Sequence, residues 1–269
     1  MDPHVYNTLI LSDLHLGAET SHAREATRVL KENSFRRLIL LGDIFADLNF
    51  ARLTKDHWKF LGYIRKLSNP KRGIEVVWVE GNHDHGLANI MSHLVGVRVY
   101  QRYEWDYRGL RHIAIHGHQF DGFQVNNLRM SRLGTSLYLQ LQKLDFKSKP
   151  IARMIDRLNT RWLRMSTKVS AGAIAFARHH QAQRIFCGHT HEATHVEKDG
   201  ISYYNAGGWV DSRLTYLTID ETGVQIHEYT ERVDHRDSGE ERGEADSAVA
   251  DLADDSGLLE DVEYESVGR

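Results

Sequence analysis

The amino-acid sequence predicts an α/β sandwich, two β-sheets packed face to face with helices on the outside. Three observations predict it. The first third alternates short apolar runs with helical stretches, the second half is rich in hairpin signals, and the polar clusters fall just past the ends of the β-like runs.

Each element follows from its local pattern. Val5 to Leu11 is a β-rich run ending at Ser12-Asp13, Arg24 to Lys31 reads as helix, and Arg37 to Leu41 is a second apolar run ending at Gly42-Asp43. Lys55 to Leu67 is helical, with Trp58, Leu61 and Ile64 three residues apart, and Ile74 to Val79 is a third run ending at Gly81-Asn82-His83-Asp84. Strand, helix, strand, helix, strand predicts a parallel unit, and such sheets place their ligands beyond the carboxyl ends of the strands. Further on, Tyr103 to Tyr107 and Leu110 to Ile115 flank Arg108-Gly109, and Arg184 to Cys187 ends at Gly188-His189. Thr194 to Glu197 with Ile201 to Asn205, and Arg213 to Ile219 with Val224 to Tyr229, flank turn residues. This half is expected to form a largely antiparallel second sheet.

Gly122 to His180 interrupts the β-rich half and reads as helical. Leu133, Leu137, Leu141 and Leu144 keep helical spacing up to Pro150, and Ile151, Ile155, Leu158, Trp162, Met165 and Val169 form a second stripe. Arg153, Arg157, Arg161, Arg164 and Lys168 run parallel to that stripe, and the insertion holds 11 basic residues against 2 acids. The expected organisation is a catalytic domain of residues 1–121 and 181–232, a helical cap insertion of 122–180, and an acidic, disordered tail of 233–269.

Charge divides the same way. The net charge of −3 combines a tail from Glu231 with 14 acids and 4 bases with a body of 30 bases and 23 acids. A basic body suits a phosphorylated substrate or an anionic surface. No apolar run reaches the roughly 18 residues of a membrane span, and no secretory signal is read at the N-terminus. The single cysteine, Cys187, is expected to be a small buried strand residue, and having no internal partner it fits a reducing cytoplasm.

Five motifs carry the chemistry: Asp13-Leu14-His15, Gly42-Asp43, Gly81-Asn82-His83-Asp84, His116-Gly117-His118 and Gly188-His189-Thr190-His191. Singly, each is compatible with a solvated turn. Together, in this order and each after a β-like run, they supply oxygen and imidazole donors suited to manganese, iron or zinc. Two closely spaced ions need a shared anionic ligand, and Asp43 is the best placed carboxylate to bridge them. His85, His112, His179, His180 and His195 are read as surface or packing histidines.

In order and spacing these motifs resemble the calcineurin-like metallophosphoesterase superfamily. The resemblance implies a four-layer α/β/β/α sandwich with the helical segment as a cap insertion. It implies that Asp13, His15, Asp43 and His191 hold one divalent ion, and that Asp43, Asn82, His116 and His189 hold the other. His83 would be the general acid, with Asp84 orienting it. His116 to Asp121, the helical insertion, and Tyr203 to Ser212 are also similar to the UDP-2,3-diacylglucosamine pyrophosphatase branch, whose members act in lipid A synthesis. That implies a cytoplasmic, membrane-peripheral enzyme with two ions, manganese first, acting on an acylated UDP-sugar that Asp121 and Lys168 would contact. This chain differs from well-known members in having His83 where they have arginine, and His118 where they commonly have aspartate. A phosphoesterase acting on nucleotides or nucleic acid, and a non-catalytic scaffold, are the other readings.

Overall fold

Leu9, Leu11, Leu38 and Leu40 alternate along their strands with Ile10, Ile39 and Leu41, because a strand turns successive side chains to opposite faces. In the structure, a computed structural model describing residues 4–86, 88–121 and 150–231 (backbone alone for 88, 89, 94 and 150–164), these two sets fill separate cores. The first set packs against helices α1 (Ala23–Glu32), α2 (Lys55–Leu67) and α3 (Ala88–Val95), through Ala26, Leu30, Phe60, Ile64 and Met91. The second set faces Trp105, Ala114, Phe186 and Tyr204 of the other sheet. Beyond that sheet, Ile113, Ile185, Cys187 and Tyr203 meet Ala173, Ile174 and Ala177 of the long helix α4 (Pro150–His179). Helix, sheet, sheet, helix: the four layers expected are present, each fully buried aliphatic side chain contributing about 1.5–3 kcal/mol.

The first sheet has the order β11-β10-β1-β2-β3-β4, from β1 (Val5–Leu11), β2 (Ser34–Leu41), β3 (Glu75–Val79), β4 (Val99–Tyr100), β10 (Thr215–Asp220) and β11 (Gly223–Glu228). β1, β2, β3 and β4 run parallel, with Leu9 opposite Leu38 and Ile39 opposite Val77. The second sheet has the order β5-β6-β7-β9-β8, from β5 (Tyr103–Tyr107), β6 (Leu110–Ala114), β7 (Arg184–Cys187), β8 (Thr194–Lys198) and β9 (Ile201–Asn205).

Two expectations need correcting. The last hairpin does not join the second sheet: β10 pairs antiparallel with β1, so the C-terminal strands complete the first sheet. The centre of the second sheet is parallel, β6 beside β7 and β7 beside β9, with antiparallel pairs confined to its edges. The site depends on that parallel centre, because it turns the carboxyl ends of β6, β7 and β9 the same way.

α4 starts at Pro150, where a missing N–H costs nothing. From Val169 onward, within the stretch expected to be a cap, it lies on the second sheet as the outer layer, with Val169, Ala173 and Ala177 fully buried. Residues 122–149, which carry the first leucine stripe, and the tail of 233–269 lie outside the described residues. Among the described residues no helix is long and apolar enough to cross a membrane. Cys187 is buried in β7, as expected of a strand residue.

One histidine read as packing sets a pH limit on this core. His112 is fully buried. Its ring stacks on Trp105 at 5.0 Å and on Phe186 at 5.8 Å, and its Nδ1 donates to the Leu110 carbonyl at 2.8 Å. Burial pushes the imidazole down to about 4. The folded value lies below the unfolded one, so the unfolded chain takes up the proton first and stability falls as pH drops below about 6.5. By pH 5 this group alone costs about 2 kcal/mol. Urea unfolding of wild type and His112→Phe at pH 7 and pH 5 checks this: the wild type should lose about 2 kcal/mol more than the variant between the two.

Candidate metal centre

Every motif occupies the loop after a parallel strand: Asp13 and His15 after β1, Asp43 after β2, Asn82 and His83 after β3, His116 after β6, His189 and His191 after β7. Both sheets therefore deliver their polar loops to one place. Backbone bonds stitch the loops together, from Asp13 N to the Gly42 carbonyl at 3.1 Å, His15 N to the Asp43 carbonyl at 3.0 Å, and Gly188 N to the His116 carbonyl at 2.9 Å.

The loops are held against local preference. Asp13, His15, Asp43, His189 and His191 all have left-handed backbone, with φ between 48° and 70°. Non-glycine residues avoid this region at a cost of order 1–3 kcal/mol each. The only others among the described residues are Arg108, Gln181 and Asp199, at turns.

Each carboxylate is divided between protein and site. Oδ2 of Asp13 accepts from the Ser12 hydroxyl at 2.5 Å and from His189 N at 2.9 Å. Its Oδ1 faces His191 Nε2 at 3.3 Å and His15 Nε2 at 3.8 Å. Oδ1 of Asp43 accepts from His83 N at 2.8 Å, while Oδ2 faces His116 Nε2 at 3.3 Å and His83 Nε2 at 3.9 Å. The His116 Nδ1–H donates to the Leu41 carbonyl at 3.0 Å, which leaves Nε2 turned to the site.

Three sets of ligand atoms lie within 4.8 Å of one another: Asp13, His15 and His191; Asp43, His116 and His189; and His15, Asp43 and His83. Asp43 and His15 each lie in two of them. Four buried atoms here, Asp13 Oδ1, Asn82 Oδ1, His116 Nε2 and His189 Nε2, have no hydrogen-bond partner. Leaving such atoms unsatisfied costs about 1–3 kcal/mol each. A cation on these oxygen and nitrogen donors removes that cost, so the residues fit a divalent metal.

The charges tell the same story. Burial pushes the Asp13 carboxyl up, but His116 and His191 outweigh it and bring it down to about 2. Burial likewise opposes ionisation of Asp43, yet His116 and His83 hold it well below the usual carboxylate range. Burial disfavours charge on His116 and His191, but Asp43 and Asp13 raise the former and Asp13 the latter, each to about 10.

The remaining site residues fall in different places. His83 is half-buried, and its Nδ1 bonds to the Ala46 carbonyl at 2.7 Å. The Asp84 carboxylate is engaged with backbone groups of two loops. The buried Asp84 carboxylate accepts from Gly81 N at 2.6 Å and Ile44 N at 3.0 Å, tying the β3 loop to the β2 loop. Burial and the neighbouring Asp43 charge push Asp84 up to about 6. Asp121 is buried, its Oδ2 3.5 Å from His189 Nε2. Lys168 stands exposed on α4, one residue before the buried Val169.

Sequence reasoning gave no role to Asn205, at the end of β9. Its buried amide donates to the Gly188 carbonyl at 2.6 Å and to Thr190 Oγ1 at 3.0 Å, and its Oδ1 accepts from Gly207 N at 2.9 Å. It braces the loop that carries His189 and His191. A polar residue closing a β-run directly before Ala-Gly-Gly was the available signal.

Gly188 is needed for close approach: a Cβ there would run into Ser12 Oγ and Asp13 Oδ2. Gly188→Ala should displace Asp13 and cost about 1–3 kcal/mol of stability, with a matching fall in activity. Gly62→Ala, on α2 with nothing within 4 Å of the added atom, should be neutral or stabilising by about 0.5–1 kcal/mol. Thermal melts and turnover of both variants check the contrast.

Residues 7–222 match the family model of the calcineurin-like phosphoesterase superfamily domain. Among solved structures, the chain is similar to a novel archaeal phosphodiesterase, with 13% identity, TM-score 0.46, and coverage of 82% of this chain and 99% of that one. It is similar to the E. coli phosphoesterase Yfce, with 14% identity, TM-score 0.45, and coverage of 80% and 88%. It is also similar to Vacuolar Protein Sorting 29 of Cryptosporidium parvum, with 13% identity, TM-score 0.43, and coverage of 83% and 97%. No curated relative matches the chain. With most of its length matched by one family model and all five motifs gathered in one cluster, the chain belongs to the calcineurin-like phosphoesterase superfamily and is a hydrolase.

Proposed function

We propose that the chain is a binuclear-metal hydrolase of phosphoester or pyrophosphate bonds, similar to a UDP-2,3-diacylglucosamine diphosphatase of lipid A biosynthesis. The observation that carries the metal dependence is the set of orphaned buried atoms on Asp13, Asn82, His116 and His189. Asp13, His15, Asp43 and His191 would hold one ion, and Asp43, Asn82, His116 and His189 the other, with manganese the first candidate and iron or zinc also suited. When bound, such ions activate water as a nucleophile and neutralise charge on the phosphoryl oxygens.

The chain's own residues supply the rest. The His83 Nδ1–H donates to the Ala46 carbonyl, so Nε2 carries a proton only in the imidazolium form. Nε2 lies 3.9 Å from Asp43 Oδ2 and faces the cluster. His83 is thus placed to give a proton to the leaving oxygen.

The substrate is an acylated UDP-sugar. Two features support this: the likeness of His116 to Asp121 and Tyr203 to Ser212 to the diacylglucosamine branch, and the basic positions Arg153, Arg157, Arg161, Arg164 and Lys168 at helical spacing on α4. On this reading the protein is cytoplasmic and touches the inner-leaflet surface, and nucleic acid is not its partner.

Two measurements test this. Metal-free protein titrated with Mn²⁺ should bind two equivalents and release protons, since His116 and His191, raised to about 10, must lose theirs. Affinity should therefore be tighter at pH 8 than at pH 6.5, by about tenfold per pH unit for each proton displaced. Mass spectrometry of products should then show UMP and a lipid monophosphate from UDP-diacylglucosamine. Cleavage of nucleotides or cyclic dinucleotides in its place would leave the metal chemistry standing and remove the lipid substrate.

A further inference from the structure

We propose that Asp211 is a positioning residue for the metal centre, holding the His191 ring so that Nε2 presents its lone pair to the ion shared with Asp13 and His15. The inference rests on the metal-dependent reading above and adds to it a residue outside the ligand set.

The two nitrogens of His191 face different groups. Nε2 points into the cluster, 3.3 Å from Asp13 Oδ1 and 3.1 Å from His15 Nε2. Nδ1 points away from it, 3.3 Å from Asp211 Oδ2. A neutral imidazole has one N–H, and whichever nitrogen carries it cannot bind a metal. A carboxylate at Nδ1 draws the proton there, fixes the tautomer, and makes Nε2 a stronger donor. His116 has the same arrangement through the Leu41 carbonyl, an uncharged partner fixed by its strand. His191 has a side-chain partner instead, one that a substitution can remove.

The segment bearing Asp211 is itself anchored to this half of the site. Trp209 N donates to the Asp13 carbonyl at 3.0 Å, and the Trp209 carbonyl accepts from His22 N at 2.9 Å. An atom added at Gly208 would lie 3.3 Å from the His191 ring and 3.4 Å from Asp13 Cβ. The loop that supplies Asp211 is thus packed on the β1 loop as well as on His191.

The side chain of Asp211 is 46% exposed, so its pull on His191 is partly screened and the expected effect is intermediate. The test uses the full chain stripped of metal and titrated with Mn²⁺, with free Mn²⁺ followed by its electron paramagnetic resonance signal. Wild type should take two equivalents. In Asp211→Ala one equivalent should weaken by about 10–100-fold, the usual cost of losing an outer partner, while the other keeps its affinity. Asp211→Asn, of nearly the same shape, should weaken the same equivalent, and Asp211→Glu should restore part of it. The melting temperature of the metal-free protein should not change. Wild-type affinity for both equivalents in the Ala and Asn variants would overturn the proposal and leave the metal-dependent reading intact. Equal weakening of both, with a lower melting temperature, would overturn it in favour of a structural role. A wild type that binds no Mn²⁺ would remove the underlying reading as well.

Discussion

Asp43→Asn is expected to lower phosphoester hydrolysis by on the order of 10⁴-fold. Losing even an outer partner of one ion costs about 10–100-fold. Asp43 is proposed as a direct ligand at both positions, so at least the upper figure is expected at each. The substitution is nearly isosteric, and an asparagine oxygen can still accept from His83 N, so the fold should survive. What disappears is the negative charge that faces His116 at 3.3 Å and His83 at 3.9 Å. Metal titration and turnover of the purified variant check this together. Activity near that of wild type, or two tightly bound equivalents, would exclude Asp43 as the bridge.

His83→Ala should slow hydrolysis of an ester with a poor leaving group by about 10²–10⁴-fold, the usual contribution of general acid–base catalysis. A nitrophenolate leaves without needing a proton, so its cleavage should fall much less. Metal binding should be retained, because His83 lies outside both proposed ligand sets. The informative quantity is the ratio of the two losses. Equal losses on good and poor leaving groups would assign His83 to binding rather than to proton transfer.

Much of this architecture was legible because strand, turn and ligand follow one another within a few residues. The helix read at Lys55 to Leu67 and the strand at Arg184 to Cys187 appear with those bounds, since each has strong periodicity and clear ends. The residues that cluster could be found because each closes an apolar run. Less legible were features that depend on distant partners. A hairpin pattern at residues 213–229 states that two strands pair but not which sheet receives them, so the docking of β10 on β1 was missed. The backbone bonds of Asp84 were hidden for a similar reason: its partner Ile44 is 40 residues away. The left-handed backbone of the ligands was hidden as well, because glycine is the usual marker of that conformation and these positions hold aspartate and histidine.

The seating of β10 against β1 also sets a schedule. During synthesis β1 emerges first, yet one of its edges has no neighbour until residues 215–220 leave the ribosome, and His15 waits equally for His191. At about 5–20 residues per second, the delay is on the order of 10–40 s. Throughout that interval the nascent chain presents an apolar strand with an open edge, the kind of surface that recruits chaperones or pairs wrongly. The centre is therefore completed only after β10 has emerged. A chain cut short before β10 would carry all the proposed ligands without the strand that closes the first sheet against β1.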